Sequence, residues 1–250
     1  QWFIPYAKQL QKTLPNSDLL YSHDAIDKIY DIVFILSYHK IIPIKQLEAN
    51  RHNIVIHASA LPKGKGWAPM FWQVLEGKNK IPFTMFEASS GVDNGGIYMQ
   101  DTLHLTGYEL NDELRDKQAS FIIQMCLKFI KNYESYKKTE EQSGDESFYS
   151  KRSEKDSKLD VNKTIKEQFN LLRIVNNDSY PAFFEIDGHK FTLKIEEMIN
   201  IDKPVIFDCH VDQAENCFPM IPSGKPHNQM LLGPKDQEEN KITGKGKALV

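Results

Sequence analysis

The chain has 250 residues, 40% hydrophobic and 26% charged, enough for one ample domain with a real core and a small appendage. A formal net charge of −3 argues against a broad nucleic-acid surface, although local basic clusters leave room for a single phosphate site. No apolar run approaches a membrane span and no signal peptide is read, so the expected location is the cytoplasm; Cys126, Cys209 and Cys217 show no Cys-x-x-Cys spacing and leave one unpaired in any disulfide scheme.

Pro5 to Leu14 reads as a helix, with proline near its start where the missing amide would be unpaired anyway. Leu19 to Tyr21 is a short strand candidate, and Asp31 to Ser37 a stronger one, apolar on both faces as a parallel strand in mid-sheet must be. Ile54, Val55 and Ile56 form a β-branched run that delivers His57 to a strand's C-terminal end, the end where open α/β sheets bind ligands. A single histidine there is more often a satisfied polar residue than a catalyst. Lys63-Gly64-Lys65-Gly66 adds a basic loop that can approach a phosphate closely, because glycine puts no side chain in the way. Ala68 to Leu75 suits a helix, Pro82 to Glu87 alternates like a strand, and Ile97 to Gln100 continues beyond a Gly91–Gly96 loop. Within that loop Asp93, preceding Asn-Gly-Gly, is by itself a good turn former.

From Glu109 to Tyr133 runs the longest predicted helix, with Leu110, Leu114, Phe121, Met125 and Phe129 near helical spacing as a core stripe and Cys126 on the apolar side. Residues 139–158 are polar and predict a linker or an extended crossing segment. Asn162 to Val175 is a further helix, and Asp187-Gly188 between two alternating runs, 181–186 and 189–195, predicts a hairpin.

The string His57-Ala-Ser-Ala-Leu-Pro62, then Lys-Gly-Lys-Gly-Trp-Ala-Pro69, then Phe86-Glu87 and Gly91-Val-Asp-Asn-Gly-Gly96, resembles the folate-dependent formyltransferases. That family includes methionyl-tRNA and glycinamide ribonucleotide formyltransferases, and the resemblance is greatest to the branch acting on nucleotide-linked amino sugars. His57 and Asp93 are 93 − 57 = 36 residues apart, the separation of the family's histidine and aspartate.

The resemblance implies an α/β, Rossmann-like catalytic domain over 1–138, whose sheet would open with a strand ahead of the first helix, so that a chain starting at Gln1 reads as truncated. A linker over 139–160 and a small α+β appendage over 161–196 would follow; Tyr149 to Arg152, Asp156-Ser157 and Leu159-Asp160 resemble the segment after the catalytic domain in sugar formyltransferases. The implied donor is N10-formyltetrahydrofolate, held by Ser37, Tyr38, Ile41, Ile42, Glu87 and Val92, although Ile41 and Ile42 suit plain core packing equally. His57 would be the general base and Asp93 its orienting carboxylate, a pair with too few ligands for zinc. Ser59, Lys63, Lys65 and Trp67 would meet the acceptor. The family's asparagine stands two residues before its histidine, a place held here by Val55; the nearest substitute is Asn53, four residues before His57 and on the same strand face.

A tRNA acceptor would call for a basic accessory domain, whereas residues 140–160 mix charges, so a nucleotide-linked amino sugar is the expected partner and nucleic acid is not. Methionyl-tRNA formyltransferase-like activity and a catalytically inactive fragment are the competing expectations, and a homodimer is left open. Pro204-Val-Ile-Phe-Asp-Cys-His-Val-Asp212, Glu215 to Gly224 and His227 to Met230 resemble the end of the acetolactate synthase large subunit. Residues 197–250 thus read as an unrelated C-terminal fragment, too short to bind thiamine diphosphate.

Overall fold

The computed structural model describes residues 2–195, so the predicted C-terminal fragment lies outside the described residues. The chain opens with α1 (Ile4–Thr13), whose Pro5 sits in the first turn and whose Leu10 is buried. Leu19 to Tyr21 does not form a strand; Leu20 and Tyr21 are exposed, and so short an apolar run finds no sheet to pair with. A single 3-10 turn at His23–Ala25 follows, held by Ser22 Oγ accepting from the Asp24 amide.

Strand β1 (Ile32–Ile35), short helix α2 (Ile44–Leu47) and β2 (His52–His57) come next, with β1 and β2 parallel in the register Ile32 to His52 and Ile35 to Val55. After the two-residue β3 (Lys65–Gly66) and α3 (Pro69–Leu75), β4 (Lys80–Glu87) and β5 (Ile97–His104) return antiparallel. The sheet order is β1-β2-β4-β5, a mixed α/β, Rossmann-like arrangement. Among the described residues β1 is an edge strand and all four of its residues are half-buried, not a mid-sheet strand sealed on both faces as its composition predicts. Its free side borders an apolar cavity of about 740 Å³ that is also lined by α1 and residues 14–31.

Helix α4 (Asn111–Lys131) starts with the Leu110 amide donating to Glu113 and buries Leu114, Ala119, Ile122, Met125, Cys126 and Phe129. These pack with Ile54, Met70, Phe71, Val74, Ile81, Phe83 and Met85 in one core. Full burial of a side chain such as Leu, Met or Phe contributes about 1.5–3 kcal/mol, so this stripe is what fixes α4 on the sheet. Burial also pushes the Cys126 thiol up, leaving it neutral and inert, a core residue as its position on the apolar side predicts.

The one-turn α5 (Tyr133–Tyr136) leads into the polar segment, which is ordered as a crossing strap. Its β6 (Phe148–Tyr149) pairs in parallel with β3, and Glu140 exchanges backbone hydrogen bonds with Ile97. Helix α6 (Phe169–Ile174) is shorter than predicted, and β7 (Ala182–Ile186) and β8 (His189–Leu193) form the hairpin around Asp187-Gly188. Both turn residues have positive φ, 50° and 81°, the mirror-image turn that matches strand twist. Arg173 of α6, 1% exposed, reaches Glu109 at 3.1 Å. Burial opposes charge on Glu109, but Lys117 and the Thr106 amide and hydroxyl hold its carboxyl well below the usual range.

Candidate active site

The site is built where β2 ends. Thr84, opposite His57 in the β2–β4 register, donates its hydroxyl to Ser59 O at 2.7 Å and accepts from the Leu61 amide, while Gln73 donates to Ala58 O. These anchors turn the chain back over the histidine it has just delivered. Gly66 must be glycine: its φ is +96°, and a Cβ there would sit 2.5 Å from the Tyr149 carbonyl oxygen of β6.

His57 Nε2 lies 2.8 Å from Gly64 O, and since a carbonyl can only accept, Nε2 carries the proton. In the neutral ring the lone pair is therefore on Nδ1. Asp93 Oδ2 stands 3.8 Å from the same Nε2, beyond a hydrogen bond but within ion-pair reach of an imidazolium. The two side chains are only 10% and 15% exposed. Asp93 also accepts from the Gly66 amide at 2.9 Å, so one carboxylate ties the 63–66 loop to the 91–96 loop. Its own φ of 53° lies in the left-handed region, which a short polar side chain tolerates.

Thus the structure brings together His57 and Asp93, but several predicted partners are occupied elsewhere. Asn53, expected as the oxyanion donor, is buried and gives its amide to Leu47 O at 2.8 Å and Glu87 Oε1 at 3.3 Å, while its Oδ1 accepts from Asn50. Strand geometry explains this: four residues along β2 carry Asn53 to the far end of the strand, where α2 and β4 claim it. Glu87, expected on the folate, also accepts from the Asn53 amide and from Tyr98, whose hydroxyl contacts His52. Burial lowers His52 and raises Tyr98, so this is a neutral polar network with one carboxylate, inside the fold.

Lys65, expected on a substrate phosphate, is 1% exposed and committed to Glu146 Oε1 at 2.5 Å and to Asn94 Oδ1. Ser59 is 2% exposed, with an Oγ that is buried and without a partner among the described residues. Lys63 and Trp67 are exposed, and Lys151 Nζ lies 5.2 Å from the Trp67 ring centre. Tyr38 and Ile42 line the 740 Å³ cavity, which His57 and Asp93 do not line; Tyr38 OH is 2.6 Å from His23 Nδ1. Ser37 is exposed with φ 52°, and Ile41 and Val92 are exposed, so neither isoleucine is a fully buried core residue.

Residues 140–149 are the part of the site that sequence reasoning missed. Gln142 donates to Asp93 O and Gly95 O, Ser147 Oγ accepts from the Gly64 amide, and Ser147 O accepts from the Lys65 amide. Nothing in their polar, aperiodic composition signals this. Every amide from Lys63 to Trp67 donates within the fold, whereas those of Val92, Asp93, Gly95 and Gly96 donate to no group among the described residues.

Residues 14–127, which contain both His57 and Asp93, match the formyl transferase family model. The methionyl-tRNA formyltransferase of Mycoplasma capricolum subsp. capricolum is 25% identical over 184 residues, 72% of this chain and 58% of the relative. The match therefore spans little more than half of that relative's length. Among solved structures, methionyl-tRNA formyltransferase from Clostridium thermocellum aligns with TM-score 0.64 at 17% identity, over 79% of this chain and 89% of that one. A 4-N formyltransferase from Francisella tularensis aligns with TM-score 0.56 at 21% identity, over 78% and 84%. At these identities the structures establish the shared fold. Among the described residues no helix is long and apolar enough to cross a membrane, and no group of three or more His, Cys, Asp or Glu is placed to hold a metal.

Proposed function

We propose that this chain transfers a formyl group from N10-formyltetrahydrofolate to the amine of a nucleotide-linked amino sugar. The observation that carries the reading is the half-buried His57–Asp93 pair at the carboxyl end of β2, inside the segment matched by the family model. The acceptor amine attacks the formyl carbon, and the tetrahedral adduct collapses with cleavage of the bond to folate N10. The proton lost by the amine passes to His57 and is returned to N10, giving tetrahydrofolate and the N-formyl product. His57 suits that task because its neutral ring, donating from Nε2 to Gly64 O, has a lone pair on Nδ1, and Asp93 at 3.8 Å stabilises the imidazolium formed in transit.

With Asn53 committed to Leu47 and Glu87, the oxyanion donors on this reading are the backbone amides of Val92, Asp93, Gly95 or Gly96, whose N–H groups donate to nothing else among the described residues. Lys63 and Trp67, exposed beside the site with Lys151 over the indole, suit a diphosphate and a base. Methionyl-tRNA is the second reading, favoured by relatives that are themselves methionyl-tRNA formyltransferases. Single-turnover assays with labelled N10-formyltetrahydrofolate and either a nucleotide-linked amino sugar or methionyl-tRNA test both. Transfer to the sugar supports the proposal, transfer to the tRNA alone replaces the acceptor, and transfer to neither overturns the reading.

A further inference from the structure

We infer that Gln142, on the strap that crosses the site, is a positioning residue that fixes the Asp93 carboxylate against His57. Its role in turnover rests on the formyl-transfer reading, but its structural content does not. The Gln142 amide nitrogen donates to two carbonyls of the same turn, Asp93 O and Gly95 O, each at 2.8 Å. Both hydrogens of one NH2 group are thereby spent on the turn that carries the carboxylate, and carbonyl acceptors fix which end of the side-chain amide is nitrogen. Gln142 Oε1 is buried with no partner among the described residues, so the side chain is held by its donors alone.

The turn has little other freedom. At Gly95 a Cβ would fall 1.5 Å from Glu87 O, so the backbone is pressed against β4, and Glu140 brackets the turn's far end by pairing with Ile97. Asp93 itself stands at positive φ, a conformation that persists where the surroundings hold it. Gln142 is the side chain that bonds the carbonyl of that strained residue. Lys65, bonded to Asn94 Oδ1 and Glu146, pulls the next residue of the turn towards the same strap. The carboxylate that results is read out at two places, the His57 ring and the Gly66 amide.

Gln142→Met keeps the length and removes both donors, and Gln142→Ala is the second variant. In the full 250-residue chain, hydrogen exchange at the Gly66 amide reports the Asp93 carboxylate without reference to activity. We expect exchange at Gly66 to quicken at least tenfold in Gln142→Met, as in Asp93→Ala, with the melting temperature and the exchange of α4 amides unchanged. If the wild-type chain transfers formyl groups, kcat should fall about tenfold or more with KM nearly constant, and Gln142→Met should add nothing in an Asp93→Ala background. A Gly66 amide as protected as in wild type overturns the inference, whether or not the protein has activity. So does full loss of kcat in the Asp93→Ala background on adding Gln142→Met, or unfolding of both variants, since either makes Gln142 a general structural residue. An inactive wild type in which Gly66 loses protection as expected would reject the formyl-transfer reading and leave the positioning role standing.

Discussion

His57 donates from Nε2 to the carbonyl oxygen of Gly64, 2.8 Å away, so the catalytic candidate is held by the same loop that its strand leads into. That bond sets the tautomer and leaves Asp93 as a charge partner at 3.8 Å, not as a second hydrogen-bond acceptor. A loop of Gly64 and Gly66 thus orients both members of the pair: Gly64 through its carbonyl, Gly66 through its amide to Asp93.

Replacing the pair tests the chemistry directly. His57→Ala should lower the rate of formyl transfer by about 100-fold or more, the usual contribution of a positioned base, while folding is retained. Asp93→Ala should also lower it, and additionally release the Gly66 amide. Rapid-quench measurement of transfer with circular dichroism of each variant checks this; unchanged turnover in His57→Ala would remove the histidine from the mechanism.

Asn53→Ala should behave as a stability mutant. It leaves Leu47 O and part of the Glu87 carboxylate without their donor inside the fold, a loss of about 1–3 kcal/mol. Formyl transfer measured below the unfolding transition should stay near wild type. Equal rate losses for Asn53→Ala and His57→Ala, with folding intact, would mean that the asparagine leaves its network to serve the reaction.

The two lysines of the basic loop should separate. Lys63 is exposed, and Lys63→Ala should raise KM for a diphosphate-bearing acceptor with little change in urea stability. Lys65→Met removes a buried ammonium from Glu146 and Asn94 and should cost about 1–3 kcal/mol, less than a fully buried pair because Glu146 is half exposed. A Lys65 variant with normal stability and a selectively raised KM would return that residue to the substrate.

Acid should loosen the junction between α6 and the start of α4. Glu109 has a folded-state pKa below its ordinary value of 4.5, so its contribution is present above about pH 4.5 and is lost as pH falls through the lower folded value. Urea unfolding of wild type should therefore weaken on the acid side of pH 4.5. Glu109→Gln should be less stable at pH 7 and show a flatter acid dependence; an identical pH profile would show that Lys117 and Thr106 do not stabilise the charged form.

What the sequence determined by itself are the features fixed by neighbours along the chain. The Ile54-Val55-Ile56 run forms a strand ending at His57, Asp187-Gly188 makes its hairpin, and the spaced residues of α4 bury as one stripe, because periodicity and turn chemistry are local properties. His57 and Asp93 were legible as a pair through a recognisable spacing. Tertiary structure alone decided which charged and polar residues are available for chemistry. Lys63 and Lys65 look alike in sequence, yet one is in solvent and the other is sealed under Glu146; Asn53 sits on the correct strand face but is claimed by Leu47 and Glu87. The polar 140–149 segment carries no apolar period, so its partners are set wholly by contacts with the 63–66 and 91–96 loops, some 50 to 80 residues earlier in the chain. Hydrogen bonds between such distant segments leave no repeating pattern in either one, and so only the folded chain reveals the strap that closes the site.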